Sequence, residues 1–291
     1  MNTLFSMTGF AKVQGLLAGK KVNLEIRSLN SSKGLDLSVK GSSFFRPLEY
    51  RIRQVITEQL QRGKIDVVIT LESTEDSTLN LPLLRRYYSE LETLATDMQA
   101  SKEGLLAALL RMPEIAGEQH HEFTETDFST IEKLTIEACL QLRDFRMKEG
   151  NTLQQEFLFW LTEIESRLPA IKEADPLRVL RIRDRLKENL ALLIPTDKLD
   201  PNRFEQEVLF YIEKLDINEE LSRLQMHILH FREVIYHSDL LKGRKLNFIA
   251  QEIGREINTI GSKANDADMQ KRVVEMKDVL EKIKEQTNNC L

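Results

Sequence analysis

Four side chains near the end of the chain have the types and spacing needed for phosphodiester chemistry. They lie four, three and four residues apart: Asp216, Glu220, Arg223 and His227. At 3.6 residues per turn, all four fall within roughly 60° of arc on one face of a helix. Carboxylates suit hard divalent cations, an imidazole shifts the preference toward manganese or another transition ion, and a guanidinium group binds phosphate. These residue types suit metal-assisted cleavage of a phosphodiester.

The next helical segment carries a second polar row beside an apolar stripe of isoleucines at 249, 253, 257 and 260. Two helices joined by a short loop usually pack antiparallel, so the two rows are predicted to border one groove. Charged residues three or four apart on helices are also typical of solvated ion pairs, and spacing alone leaves that alternative open. The second row consists of Glu252, Arg255, Glu256, Thr259, Ser262, Lys263 and Asp266.

The first seventy residues have the pattern of a β-sheet and not that of a helical bundle. Residues 22–27, 35–40 and 65–71 alternate or are β-branched, as in strands. Between them, apolar residues from Ile52 to Leu60 follow helical spacing, with Pro47 suited to the helix start and Gly63 to its end. We therefore predict a sheet of about four strands covered by a helix.

After about residue 80 the pattern is helical, and prolines are expected to interrupt it at Pro169 and Pro176. The predicted fold is α+β, with an N-terminal mixed module, a helical middle and an antiparallel C-terminal helical module. We divide it into residues 1–155, a helical connector 156–204 and a C-terminal domain 205–291. The predicted helices are 82–98, 101–111, 128–168, 177–194 and a final region from Pro201 with a loop near 238–242.

Composition limits the possible functions. The net charge of −5 excludes a globally basic nucleic-acid binder but permits a local basic channel. The longest apolar run, Leu105–Leu110, is far shorter than the roughly 18 residues of a membrane span, and no secretory signal is expected. Cys139 and Cys290 form no CxxC pair, so we expect reduced thiols and a cytoplasmic protein. The absence of a phosphate loop or a GxGxxG motif argues against a nucleotide cofactor.

Three further clusters allow more than one interpretation. Two basic clusters either follow a nucleic-acid backbone or form solvated helix faces. The sequence His120-His121-Glu122 contains metal-ligand types, but adjacent side chains diverge, so we do not expect a metal there. The basic clusters are Arg46, Arg51, Arg53, Arg62 and Lys64, and then Arg178, Arg181, Arg183, Arg185 and Lys187.

Long stretches of the chain resemble the YicC-type endoribonuclease family. Residues 243–266 read GRKLNFIAQEIGREINTIGSKAND, which resembles the C-terminal signature of that family, and DINEELSRL at 216–224 followed by His227 resembles its upstream motif. Near the N-terminus, SMTGF at 6–10, EIRSLN at 25–30 and RGK at 62–64 resemble the family in the same order. The resemblance therefore spans nearly the whole chain.

The resemblance implies a bacterial, metal-dependent endoribonuclease that binds structured RNA in a channel of a homo-oligomer, with a hexamer expected. Together with the two polar rows it gives three sets of candidate residues. The catalytic set is His227, Glu252, Glu256 and Arg223. The ligands for Mn²⁺ or Mg²⁺ are Asp216, Glu219, Glu220, His227, Glu252 and Glu256. The RNA-binding set is Arg27, Lys33, Arg62, Lys64, Arg244, Lys245, Arg255 and Lys263.

Two other functions fit the same residues. A non-catalytic RNA-binding adaptor, which presents RNA to another nuclease, would need the basic groove but no ordered metal. A helical interaction scaffold would need only the ion pairs. Metal-dependent cleavage of RNA separates these alternatives from an endoribonuclease.

Overall fold

The fold is described from a computed structural model of the chain. The described residues are 4–17, 20–31, 34–41, 43–71, 79–112, 115, 123–193, 201–237 and 239–291. The chain forms two compact units, of which one is Gly9–Phe145. The other combines the residues up to Thr8 with Arg146–Leu291. The fold is α+β, as predicted, whereas the three-part division at 155 and 204 stays a prediction.

The Gly9–Phe145 unit contains a four-stranded sheet. Its order is β1-β2-β4-β3, with β1 and β4 antiparallel to β2 and with β3 parallel to β4. Alternate residues of these strands, such as Leu24, Ile26 and Val67, are buried against α1 and the first half of α4. The strands are β1 Gly9–Leu17, β2 Lys20–Leu29, β3 Leu35–Gly41 and β4 Gly63–Leu71. The helices are α1 Glu49–Gln59, α2 Leu81–Asp97, α3 Leu105–Leu109 and α4 Glu125–Glu165, which continues into the other unit.

The ends of α1 differ from the prediction. Pro47 lies in a 3-10 turn, Ser43–Leu48, and α1 begins after it at Glu49. The helix ends at Gln59, and Gly63 instead opens β4 with a φ of +122°. Glycine takes this left-handed conformation without steric strain. Gly63 therefore allows the chain to turn into β4 and does not end α1.

The second unit is helical. It consists of the end of α4, α5 Leu168–Leu193, α6 Pro201–Leu215, α7 Asn218–Tyr236, α8 Gly243–Ala264 and α9 Ala267–Thr287. The predicted break at Pro176 is wrong, because α5 runs through it. Ile171 and Arg178 are buried on either side of the proline, and this packing outweighs its lost hydrogen bond. In the described part of the chain, no helix has the length and apolar character needed to cross a bilayer.

The N-terminal residues join the end of the chain in this unit. Ser6 forms a β-bridge with Cys290, and Phe5 accepts a hydrogen bond of 3.0 Å from the backbone N–H of Leu291. Leu291 accepts from the backbone N–H groups of Lys242 and Gly243 at the start of α8. These bonds hold the loop between α7 and α8, which brings the two helices together.

The two thiols are predicted to be unreactive in the folded protein. Cys139 and Cys290 are both buried, and burial raises the pKa of Cys290 to about 12. Because the thiolate is the reactive species, we expect no rapid reaction with Ellman's reagent at pH 8. Two thiols per chain should react after unfolding in guanidinium chloride. A native thiol that reacts as fast as free cysteine would contradict the packing around these residues.

Candidate active site between helices α7 and α8

The two polar rows predicted from the sequence lie on helices that share one core. On α7 the neighbouring apolar stripe includes Leu224, Ile228 and Phe231, and all three are fully buried. On α8, Ile253 and Ile257 are buried in the same cluster. The amphipathic pattern therefore sets which face of each helix packs inward and which edge carries the polar row.

An ion pair fixes how the helices are aligned. The Lys263 Nζ lies 2.7 Å from Glu220 Oε1 and donates a hydrogen bond of 2.8 Å to the Asp216 carbonyl. The end of α8 is therefore beside the start of α7, while residues 237–242 join the other ends of the helices. Only an antiparallel arrangement satisfies both conditions, which confirms the predicted pairing.

His227 and Glu256 occupy matching places along this pair of helices. Each lies seven residues, or two turns, from the Glu220–Lys263 contact, one on α7 and the other on α8. Two turns return a side chain to nearly the same face and advance it by about 10 Å. The register therefore sets the imidazole and the carboxylate at one level of the antiparallel pair.

Both side chains are withdrawn from solvent and chemically available. Glu256 is 9% exposed and His227 is half-buried. Within the described part of the chain, neither side chain has a hydrogen bond or an ion pair to another residue. The Glu256 oxygens are not among the buried atoms that lack a partner, so this carboxylate still reaches solvent and is available to contact a ligand.

The carboxylates of Glu220 and Glu252 are only partly satisfied. Glu220 is 7% exposed, and its second oxygen, Oε2, is buried without a hydrogen bond among the described residues. Glu252 is half-buried, and its Oε1 lies 2.7 Å from Arg255 Nη1, at angles that do not make a hydrogen bond. Each carboxylate thus keeps an oxygen with unused hydrogen-bonding capacity.

Two predicted ligands are engaged in local structure. Glu219 forms an exposed i,i+4 ion pair with Arg223 at 2.5 Å. Asp216 is exposed, and its Oδ1 accepts hydrogen bonds from the backbone and side-chain nitrogens of Asn218 at the first turn of α7. The ion-pair alternative therefore describes Glu219 with Arg223 and Glu252 with Arg255 in this structure, and Glu220 pairs with Lys263 of the other helix. The metal-binding roles of Glu219 and Asp216 stay predictions.

The predicted phosphate-binding cations of α8 are spread along the helix. Arg244 and Lys245 are exposed in its first turn, Arg255 is in the middle with a side chain 71% exposed, and Lys263 is in its last turn. The helix rises 1.5 Å per residue, so the first and last of these cations are nearly 30 Å apart along its axis. Cations spread over this length can contact several successive phosphates of an RNA strand and cannot all bind a single phosphate.

A preformed cluster of metal ligands does not occur in the described residues. There, no group of three or more His, Cys, Asp and Glu side chains is placed to hold a metal ion. Magnesium usually keeps several waters and takes only one or two protein carboxylates. Glu256 and Glu252, one turn apart on α8, suit such a water-rich site, whereas Glu220 lies about 10 Å further along the helices and its free oxygen is buried.

The N-terminal basic residues divide into exposed and structural ones. Arg27 and Lys64 are exposed on the sheet face opposite the core, and the Arg27 guanidinium lies 5.7 Å from the centroid of the Phe10 ring. Arg62 donates a hydrogen bond of 3.3 Å to the Ser31 carbonyl, which ties down the loop before β4. Lys33 and the segment 120–122 lie outside the described residues.

One basic residue is used differently from either sequence interpretation. Arg178 is fully buried, so it neither follows a nucleic-acid backbone nor lies on a solvated face. Its neighbours Arg181 and Arg183 are exposed and pair with Asp266 and Glu205. The contacts of Arg178 reach the ends of α6 and α8, beside the Glu220–Lys263 pair.

The fold and this groove define an α+β protein whose C-terminal helices carry carboxylates, an imidazole and cations on facing edges. Comparison with known proteins is consistent with that class. The profile "Endoribonuclease YicC-like, N-terminal region" matches residues 4–155, and "Endoribonuclease YicC-like, C-terminal" matches residues 171–290. The chain belongs to the YicC-like endoribonuclease family.

Two relatives are similar over almost their entire length. A protein of Clostridioides difficile (strain 630) named "Probable endoribonuclease YicC" is 28% identical over 290 residues, covering 98% of each chain. A protein of the same name from Haemophilus influenzae (strain ATCC 51907 / DSM 11121 / KW20 / Rd) is 28% identical over 295 residues. That match covers 98% of this chain and 99% of the relative.

Proposed function

We propose that this protein is an endoribonuclease that cleaves structured RNA in the groove between α7 and α8. The observation that carries the proposal is the unpaired His227 and Glu256 at one level of the antiparallel helices, with Lys263 and Arg255 on the same helix as Glu256. An imidazole and a carboxylate withdrawn from solvent suit proton transfer, and the cations suit the phosphate charge. Membership of the YicC-like family supports this choice.

His227 is the group that moves a proton at the scissile phosphodiester, and Glu256 orients the imidazole or a water molecule. Arg223, Arg255 and Lys263 bind phosphate oxygens. Glu252 holds Arg255 from the side of the core. These roles follow from side-chain exposure: Arg223 and Arg255 reach solvent, whereas Glu252 and Glu256 are largely withdrawn from it.

A divalent ion, Mn²⁺ or Mg²⁺, is part of the proposal. Glu252 and Glu256, four residues apart on α8, are the residues that would hold it, with His227 as the nitrogen ligand if the metal is manganese. Glu220, two turns away at the Lys263 contact, would take part only through water. When bound, such an ion lowers the pKa of its water and neutralises charge on the phosphate. Asp216 and Glu219 would contribute through water or after rearrangement of their present hydrogen bonds and ion pairs.

RNA binding is proposed to extend to the open sheet face of the Gly9–Phe145 unit. Arg27 lies over Phe10 and also pairs with Glu25 at 3.4 Å. Glu25 pairs with Lys12 as well, and the hydrogen bond from Lys12 lowers the pKa of this carboxyl group. Lys64 continues the exposed face on β4. An aromatic ring with neighbouring cations suits stacked bases and their phosphates.

A cytoplasmic homo-oligomer, with a hexamer expected, completes the proposal. Exposed apolar side chains occur on α5 and α6, where Leu180, Leu209 and Phe210 are each more than half exposed. Surfaces of this kind support association between subunits, which also builds a channel from a chain with no single basic face. Reduced, buried cysteines suit the cytoplasm.

The role of the sheet face predicts a salt-dependent loss of RNA affinity. Replacing both Arg27 and Lys64 with glutamine removes two cations that reach phosphates. We expect RNA binding to weaken about tenfold near 0.1 M salt, with a logarithmic salt slope shallower by about 1.5. Fluorescence anisotropy with a labelled hairpin measures both quantities. Arg86→Gln is the control, because Arg86 is exposed on α2 and pairs with Glu90. Equal losses in the control and the double variant would refute this surface.

A cleavage assay tests the function itself. Purified protein is incubated with a hairpin RNA in Mn²⁺, in Mg²⁺ and in chelator, and the products are sequenced. We expect internal cuts that depend on the metal. RNA binding without cleavage in any metal would favour an adaptor, whereas cleavage in chelator with 2′,3′-cyclic phosphate ends would show that the 2′-hydroxyl attacks without a metal.

A further inference from the structure

A buried arginine lies next to the candidate site. Arg178 lies on α5, and its side chain is 1% exposed. Removing a guanidinium group from water is unfavourable unless its charge and its N–H groups find partners. The partners of this side chain therefore indicate what the arginine does.

Arg178 joins the ends of two other helices. Its Nη1 donates hydrogen bonds to the carbonyls of Lys263 and Ala264, the last residues of α8. Its Nη2 donates to the Leu215 carbonyl, the last residue of α6, at 2.8 Å, and pairs with Asp175 on its own helix. Helix C-termini carry carbonyls without intrahelical partners and a partial negative charge, so a cation is stabilising there.

The backbone held by Arg178 is the backbone from which the site projects. Arg178 donates hydrogen bonds to the backbone carbonyl of Lys263 itself and to that of Leu215, the residue immediately before Asp216. The Lys263 ammonium group in turn contacts the Asp216 carbonyl and Glu220. One guanidinium thus fixes both sides of the contact that aligns α7 with α8.

We propose that Arg178 is a positioning residue that sets where the Lys263 ammonium group lies between Glu220 and the RNA phosphate. The proposal rests on the proposed function for its catalytic part. Without the planar fork of Arg178, the last turn of α8 and the α6–α7 junction lose their common anchor, and Lys263 samples positions away from the phosphate. Lysine at 178 keeps the charge but reaches fewer carbonyls, so Arg178→Lys separates anchoring from charge.

Hydrogen exchange tests the anchoring without any need for activity. In the full-length protein, Arg178→Lys should speed amide exchange in residues 215–222 and 259–267 at least fivefold, and leave residues 248–256 unchanged. Asp175→Asn should give the same pattern to a smaller extent. Arg183→Met is the matched control, since Arg183 is exposed on the same helix and pairs with Glu205. Unchanged exchange in Arg178→Lys, or an equal change in the control, would overturn the proposal.

A double-mutant cycle tests the catalytic part. We expect Arg178→Lys to lower kcat/KM for hairpin cleavage about tenfold, and less than twofold when Lys263 is already replaced by methionine. Equal losses in both backgrounds would show a merely structural role and overturn the proposal. If the wild-type protein does not cleave RNA, the catalytic part fails with the proposed function, while hydrogen exchange still shows whether Arg178 anchors Lys263.

Discussion

Replacing His227 with alanine should lower the rate of RNA cleavage by a factor of about 100 or more, because positioned proton transfer contributes at least this much to catalysis. The side chain is half-buried on α7 and has no other partner in the described part of the chain, so its loss should change little else. Single-turnover cleavage of a hairpin RNA measures the effect, and thermal unfolding and RNA affinity should stay close to wild type.

The same helix offers a matched control for this substitution. His230 lies three residues further on and is exposed. We expect His230→Ala to cleave within twofold of wild type. If both variants cleave normally, His227 is a packed helix-surface histidine and the proton must move elsewhere.

Replacing Lys263 with methionine should destabilise the protein by about 2 kcal/mol, since the buried Glu220 carboxylate would lose its charged partner. Glu220 is 7% exposed and already has one oxygen without a hydrogen bond. We expect the midpoint of thermal unfolding, followed by circular dichroism at fixed protein concentration, to fall by about 4 °C.

A double-mutant cycle distinguishes a lost ion pair from lost packing. Replacing Glu220 with methionine as well should recover most of the stability, because removing both charges leaves no unpaired group in the core. Arg223→Met, which removes a cation from an exposed ion pair with Glu219, should change stability by less than about 0.5 kcal/mol. An equally large loss in Arg223→Met, or no recovery in the double variant, would contradict the assigned Glu220–Lys263 contact.

Much of the fold follows from apolar spacing. Leu224, Ile228 and Phe231 on α7 and the isoleucines of α8 are buried where the helical period places them. The alternation in β2 and β4 likewise predicts their buried face. These elements are predictable because one face of each is buried, so the spacing of their apolar residues in the sequence shows which face that is.

The element ends and the polar contacts were less predictable. The helix α5 continues through Pro176, because tertiary packing outweighs a local preference. Arg178 occupies an inward position in line with Ile171 and Ile182, at helical spacing. That position was the available signal for burial, but its partners are carbonyls at the ends of α6 and α8, which no spacing rule brings together.

The groove between α7 and α8 was likewise predictable only in part. Spacing placed Glu220 and His227 on one helix edge and Glu256 and Lys263 on another, but it did not establish which residues face each other. The Lys263–Glu220 contact supplies the register, and from it follows the matching level of His227 and Glu256. Spacing also could not separate Glu219, which pairs with Arg223, from the unpaired Glu256.

The most direct test of the site compares hairpin cleavage by the wild-type protein and by Glu256→Gln, side by side in Mn²⁺, in Mg²⁺ and in chelator. Glutamine keeps the shape of the buried side chain and removes its charge, so RNA binding and folding should persist. The account predicts metal-dependent cleavage by the wild-type protein and a loss of at least about 100-fold in the variant. Cleavage at the wild-type rate by Glu256→Gln would place the chemistry outside the groove between α7 and α8.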